Sequence, residues 1–290
     1  MEEDSVVIYK GSCLRLKKNE LKSDKVFVFD LDETIGHFSE VYLLFQCIEK
    51  MQNNGHTKWF EDDEQCLRFL LDLFPEVFRY GIDVIFQYLY KKKNTVNTSV
   101  YIYTNNSCIP ITWTTYICKY IETYWKVDNL FTNIVRAFKI NGKIVEKRRT
   151  TGEKSYIDFI HCVQLPYDTE LCFLDNNEHK LMKHRHVYYL QPKPFYCDIN
   201  RNEYISRFTE KFESFTKLSN VQEEVRKFYS EQKLDIQDYE KTYAQHLIDI
   251  KVSKKLLHCI QKFYKYKVVK LKTRKNRKTP VCKTLKKRCK

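Results

Sequence analysis

Three short apolar runs, each cut off by a polar cluster, constrain this chain more than any other feature. Lys25-Val26-Phe27-Val28-Phe29 ends in Asp30-Leu31-Asp32-Glu33-Thr34, and Val100-Tyr101-Ile102-Tyr103 ends in Thr104-Asn105-Asn106-Ser107. Leu171-Cys172-Phe173-Leu174 ends in Asp175-Asn176-Asn177-Glu178. A fourth run, His186-Val187-Tyr188-Tyr189-Leu190, stops at Gln191-Pro192. Short apolar runs without polar alternation are the pattern of strands buried on both faces of a parallel sheet. In open α/β sheets the ligand lies beyond the carboxyl ends of the strands. Three polar clusters in that position therefore predict an α/β fold with one site.

The stretches between the runs supply the helices. Segments 40–52, 62–74 and 76–90 carry apolar residues at helical spacing, for instance Leu67, Leu70, Leu71 and Phe74. Together they exceed a single crossover and leave room for a small helical cap over 38–96. Downstream, 113–124 reads as a helix, and 137–145, with Asn141-Gly142 at its centre, predicts a β-hairpin projecting beside the site. Segments 204–215, 221–229 and 239–263 also carry helical spacing. The expected organisation is a domain over 1–203, a helical extension over 204–261 and a basic tail over 262–290.

The tail follows from the charge. The sequence holds 51 Lys and Arg against 37 Asp and Glu, a net charge of +14, and its last acid is Asp249. Residues 262–290 contain 14 Lys and Arg and no acid, so the rest of the chain is balanced. Such blocks bind polyanions or are read as nuclear localisation signals, and their phosphate contacts are salt-dependent and blind to sequence. Nucleic acid or another polyanion is the partner expected there.

Other classes are excluded or disfavoured. The glycines at 11, 36, 55, 81, 142 and 152 lie ten or more residues apart, so neither a Walker A loop nor a dinucleotide fingerprint can be written. Eleven cysteines without C-x-x-C spacing, behind a start Met1-Glu2-Glu3-Asp4, predict reduced thiols in a soluble intracellular protein. The longest uncharged run, 94–118, is too rich in Thr, Asn and Ser to span a membrane. His179, His184, His186 and Cys197 match no zinc spacing, and Lys180, Lys183 and Arg185 intervene, so a solvated basic segment is expected. Trp113 and Trp125, and most of the Tyr and Phe, read as core.

The chemistry concentrates at Asp30 and Asp32. Residues i and i+2 of an extended segment share a face, so both carboxylates can point at one site. Such a pair suits a hard divalent cation, and it suits division of labour between a nucleophile and a proton donor.

Phe29-Asp30-Leu31-Asp32-Glu33-Thr34, of the form D-x-D-x-T, is followed by Tyr101-Ile102-Tyr103-Thr104-Asn105, the lone Lys154, and Phe173-Leu174-Asp175-Asn176. In order and strand context, over roughly 25–196, these motifs resemble the haloacid dehalogenase-like phosphatases. Within them the resemblance is to RNA polymerase II CTD phosphatases and NLI-interacting-factor-like proteins. Arg148-Arg149-Thr150 and Tyr103-Thr104-Asn105-Asn106 are similar to the versions in large DNA viruses of the iridovirus type.

The resemblance implies a Rossmannoid fold and a Mg²⁺-dependent phosphatase acting through an aspartyl phosphate. Asp30 would be the nucleophile and Asp32 the proton donor and later base. Mg²⁺ would be held by Asp30, the Asp32 carbonyl and the pair Asp175/Asn176, either of which could be the direct ligand. Thr34, Thr104 and Asn105 would bind phosphate, and Lys154, with Lys147 as the alternative, would offset its charge. Two departures stand out: relatives commonly have Asn or Asp, Ser and Pro after the fourth-motif aspartate, where this chain runs Asn176-Asn177-Glu178-His179, and Lys154 precedes Asp175 by 21 residues, a longer spacing than in the small CTD phosphatases. The implied substrate is phosphoserine or phosphothreonine in a protein. The alternatives are a nucleic-acid terminal phosphate, or a non-catalytic nucleic-acid-binding or assembly protein on the same fold.

Overall fold

The computed structural model describes residues 5–18, 24–55, 58–232 and 240–268. In chain order its elements begin with strands β1 (Val6–Lys10), β2 (Leu14–Leu16) and β3 (Lys25–Phe29), then helices α1 (Ser39–Asn53), α2 (Asp63–Leu73) and α3 (Ile82–Lys93). Next come β4 (Thr98–Tyr103), α4 (Trp113–Tyr124), β5 (Phe131–Val135), β6 (Lys139–Ile140), β7 (Lys143–Ile144), α5 (Tyr156–Val163) and β8 (Leu171–Leu174). The order closes with β9 (Val187–Pro192), α6 (Arg201–Thr216), α7 (Val221–Glu231), α8 (Tyr243–Phe263) and β10 (Tyr266–Val268).

Six strands form the central sheet in the order β1-β9-β8-β3-β4-β5. Neighbours from β9 to β5 run parallel, and β1 closes one edge antiparallel to β9. This is the mainly parallel α/β sheet expected from the apolar runs. All five residues of β3 and all four of β8 are buried, as strands covered on both faces must be.

Side chains alternate between the two faces of a strand. Val26 and Val28 of β3, with Tyr101, Tyr103 and Phe173, pack under α5 through Phe159 and Ile160. Phe27 and Phe29 face the larger layer, where Phe29 meets Phe86 of α3 and Phe27 meets Phe263 and Tyr264 at the end of α8. In that layer α1 packs on α2 and α7, and α2 on α4 and α6. The helices after 201 share this hydrophobic core with α1–α4.

Several expectations change in detail. The helix expected over 76–90 is broken: Pro75–Val77 forms a single 3₁₀ turn, and Gly81 turns the chain at φ +71° into α3. The interruption has a partner, because Gly36 bridges to Phe78, and His37 N–H donates to Val77 O at 2.7 Å. The helix expected from 239 starts at Tyr243, fixed by a Thr242/Gln245 capping box. The basic segment does not begin as a tail at 262. Phe263, Tyr264 and Tyr266 are buried, β10 pairs with β2, and 269–290 lie outside the described residues. The 137–145 hairpin forms as β6 and β7, with Asn141 and Gly142 at φ +48° and +77°, as a two-residue turn requires.

Candidate active site

The carboxyl ends of β3, β4 and β8 bring the three polar clusters together. Asp30 N–H donates to Leu174 O at 2.8 Å, and Asp175 N–H to Leu190 O at 3.2 Å, so the ladder fixes both aspartates as it ends. Asp30 is 5% exposed and Asp175 is fully buried. Between them stands Lys154, whose Nζ donates to Asp30 Oδ1 and, at 2.7 Å, to Asp175 Oδ2. The lysine directly precedes the N-cap of α5, where Ser155 Oγ accepts from Asp158 N–H. Its loop is tied down by Thr150, which donates to Asp158 through both backbone and hydroxyl.

Asp32 is partly exposed and receives the Asn106 amide at 2.9 and 3.2 Å on its two oxygens. Asn106 is itself locked: its N–H donates to Thr104 Oγ1, and its Oδ1 accepts from Cys108 N–H. Asp30, Asp32, Asn105, Asn106 and Lys154 line one cavity of about 700 Å³. Its opposite wall is apolar and aromatic, formed by Phe38, Tyr42 and Leu43 of the α1 region and by Trp113.

The electrostatics follow from three aspartates around one ammonium. Burial works against charge on Lys154, but Asp30 and Asp175 overcome it and raise its pKa. Burial likewise opposes charge on Asp175, and Lys154 and His179 more than compensate, holding its carboxyl below the usual range. Asp30 is left short of compensation. Burial, with Asp175 and Asp32 nearby, pushes it up to about 8 against the pull of Lys154. Asp32 is raised by burial with Asn106 holding it back, and Glu33 is raised to about 7 by burial, Asp32 and Asp175.

This surplus of negative charge fits a cation. Among the described residues no group of three or more His, Cys, Asp or Glu side chains is arranged to hold a metal. Magnesium does not need one, since it is commonly bound by one or two carboxylates with waters and substrate oxygens. The oxygen donors at hand, Asp30, Asp175, Asp32 and Asn176, suit it in kind.

The remaining predicted residues divide. Thr104 is buried beneath the site, its hydroxyl accepting from Asn106 N–H, while Asn105 lines the cavity. Thr34, expected on the phosphate, is turned elsewhere: it is 1% exposed, its hydroxyl donates to Asn176 Oδ1 at 2.8 Å, and it accepts from Asn176 N–H. It braces the β3 loop against the β8 loop. That contact engages the Asn176 side-chain oxygen, just as Lys154 and His179 engage Asp175 Oδ2 and Asn177 N–H donates to Asp175 Oδ1.

Three residues were missed. His179 is not part of a solvated segment: it lines the cavity, with Nε2 3.0 Å from Asp175 Oδ2, whereas His184 stacks on Tyr156. Its place after Asp175-Asn176-Asn177-Glu178 was the available signal. Arg79, 1% exposed, donates to the carbonyls of Thr34, Glu33 and Lys193 at 2.6, 2.5 and 2.8 Å. Arg149, 2% exposed, donates to Thr104 O, Arg136 O and Gly152 O, joining the β4 loop to the Lys154 loop. Nothing local in the sequence marks either arginine as a backbone clamp. The described cysteines are unpaired and mostly buried, and burial pushes the thiols of Cys47 and Cys108 up to about 12.

No family model matches the chain, and no curated protein does. Among solved structures it is similar to a haloacid dehalogenase-superfamily hydrolase, subfamily IA, variant 1, from Geobacter sulfurreducens. The likeness is 13% identity at a TM-score of 0.34, over 58% of this chain and 88% of that one. Among the described residues no helix is long and apolar enough to cross a membrane.

Proposed function

We propose that this chain is a Mg²⁺-dependent phosphatase that hydrolyses phosphoserine or phosphothreonine esters in proteins through an aspartyl-phosphate intermediate. The observation that carries the reading is the Lys154 ammonium held between Asp30 and the buried Asp175, with Lys154, Asp30 and Asp32 lining one cavity at the ends of three parallel strands. Phosphoryl transfer asks for in-line positioning and for positive charge around the equatorial oxygens.

Asp30 attacks phosphorus through a carboxylate oxygen, and the bond from phosphorus to the ester oxygen breaks. Asp32, whose pKa burial raises, gives a proton to the departing alcohol. The same carboxylate then takes a proton from water, whose oxygen attacks phosphorus. Phosphate leaves and Asp30 is restored. Asn106 holds Asp32 in orientation, and Lys154 offsets charge on Asp30 and on the transferring group. Mg²⁺, held by Asp30, Asp175 and the Asp32 carbonyl, would supply the remaining positive charge, keeping Asp30 ionised.

The aromatic wall of Phe38, Tyr42 and Trp113 supports a substrate larger than a bare phosphate, with groups flanking the ester. The excess of Lys and Arg favours a second substrate reading, a terminal phosphate on nucleic acid.

The test is hydrolysis of an aryl phosphate with Mg²⁺ and with excess chelator, beside Asp30→Asn and Asp32→Asn. Turnover that depends on the metal and is lost in both variants is expected. Undiminished turnover in Asp30→Asn would overturn the mechanism. A phosphopeptide compared with a 3′-phosphorylated oligonucleotide then separates the two substrates.

A further inference from the structure

The end of the sheet opposite the catalytic cavity carries a second chemistry. Tyr264 and Tyr266 lie at the amino ends of the strands: Lys25 Nζ, at the start of β3, donates to Tyr266 O at 2.6 Å, and Tyr264 OH shares a 3.1 Å hydrogen bond with Thr98, the first residue of β4. Here α8 and β10 meet α3 and β2 around a cavity of about 500 Å³ lined by Lys92, Lys262, Lys265, His258, Gln261 and Tyr88. No acid is among its described lining residues. Glu170, which reaches this end of the sheet, is held by Lys25 at 2.5 Å.

The charge continues onto the β2–β10 ladder. Lys267 stands directly across from Arg15 in the antiparallel register, and Lys17 N–H donates to Lys265 O. Like charges directly opposite on a ladder are destabilising, and the Arg15 guanidinium donates to the carbonyls of Ser12 and Leu14. Among the described residues Arg15, Lys17, Lys262, Lys265 and Lys267 have no carboxylate partner. The segments that build this face, 14–18, 84–97 and 250–268, contain no Asp or Glu at all. The concavity argues for a convex partner over a flat bilayer, and the next 22 residues add only cations.

We propose that this face binds the phosphodiester backbone of nucleic acid, with Lys262, Lys265 and Lys267 contacting successive phosphates. The site belongs to the folded body and is distinct from the segment 269–290, whose cations would add to it. It neither uses nor depends on the catalytic cavity.

The test is fluorescence anisotropy of the full chain with a labelled duplex of about 20 base pairs, across a salt series. The triple variant Lys262→Gln/Lys265→Gln/Lys267→Gln should bind about tenfold or more weakly near 0.15 M salt. The slope of log affinity against log salt should fall by about 2 to 3, at roughly 0.9 per lost phosphate contact. The Lys→Arg triple should keep wild-type affinity, and aryl-phosphate hydrolysis should be unchanged in both. Unchanged affinity and slope in the Gln triple would overturn the proposal, leaving binding to 269–290. Lysine-dependent capture by phosphatidylserine vesicles, with no capture of the duplex, would overturn it in favour of a membrane surface.

Discussion

Replacing Arg79 should damage the catalytic loop from a distance, and the size of the effect can be worked out. The guanidinium donates three hydrogen bonds to the backbone carbonyls of Glu33, Thr34 and Lys193, two of them in the turn that follows Asp32. Bonds from a charged donor contribute about 1.5–3 kcal/mol each, so the three are worth roughly 6 kcal/mol gross. Against this, burial pulls the guanidinium down to about 10 from 12.5, a penalty of about 3 kcal/mol that Arg79→Ala would remove. The expected net loss is therefore about 3 kcal/mol, read by urea denaturation with the slope unchanged. Function should suffer more than stability suggests. Glu33 sits at φ +53° and is held there by Arg79 and by Phe195 N–H, so releasing it lets Asp32 move, and a displacement near 1 Å costs about 100-fold in rate. Arg79→Lys, which can restore one or two of the bonds, should fall between. Stability within about 1 kcal/mol of wild type, with unaltered kcat for aryl phosphate, would refute the clamp.

Other perturbations follow from the same geometry. Lys154→Met strands Asp30 and Asp175 and should cost about 3–5 kcal/mol, partly recovered by adding Asp30→Asn; equal stability of single and double variants would contradict the pairing. Saturating Mg²⁺ should raise the thermal midpoint, by the equivalent of about 2.7 kcal/mol at a hundredfold excess over its dissociation constant, and Asp175→Asn should abolish the rise. Gly36→Ala would place a Cβ 2.7 Å from Val77 O and 2.6 Å from Phe38 Cζ, so a loss of about 1–3 kcal/mol is expected in denaturation. His37, whose Nδ1 accepts from Cys197 N–H, is lowered to about 4 by burial and Lys241, below its unfolded value of 6.5. The unfolded chain then binds the extra proton between those values, so stability from this group is complete above pH 6.5 and lost as pH falls towards 4, by at most about 3 kcal/mol. His37→Gln should flatten that part of the urea profile, and an unchanged profile would dismiss it.

What could be read from the sequence was governed by locality. Strands β3, β4 and β8 were legible because each carries an unbroken apolar run that ends in a cluster that cannot be buried without partners. The site inherited that legibility: Asp30, Asp32, Asn105, Lys154 and Asp175 are neighbours of strand ends or of a helix start. Strands β1 and β5 were not legible, since edge strands are half-solvated, with Val7 at 57% exposure and Thr132 and Asn133 open to solvent. Thr34 was misassigned because its position two residues after Asp32 is compatible with facing the ligand or facing Asn176, and only the β8 loop decides. Arg79 lies 45 residues from Thr34, and its role depends on a helix interruption at 78–81 that helical periodicity masks. Lys262, Lys265 and Lys267 looked like the start of a tail because charge dominates their composition. Phe263, Tyr264 and Tyr266, interleaved with them, are what fasten the segment to the sheet.

The parallel sheet keeps two opposite charge distributions apart. Strand β3 begins at Lys25, beside the cationic face, and runs directly into Asp30, on the anionic cavity. At about 3.3 Å per residue the two ends are roughly 17 Å apart. That is about twice the Debye length near 0.15 M salt, so through solvent each face is largely screened from the other. A polyanion on the lysine face would therefore neither repel a phosphate ester from the cavity nor draw out its cation. It would raise the local concentration of enzyme near a scaffold while leaving kcat untouched. On the two proposals the arrangement would separate where the protein stands from what it cleaves, and it places them on independent footing: loss of Asp30 should spare duplex binding, and loss of the lysines should spare hydrolysis.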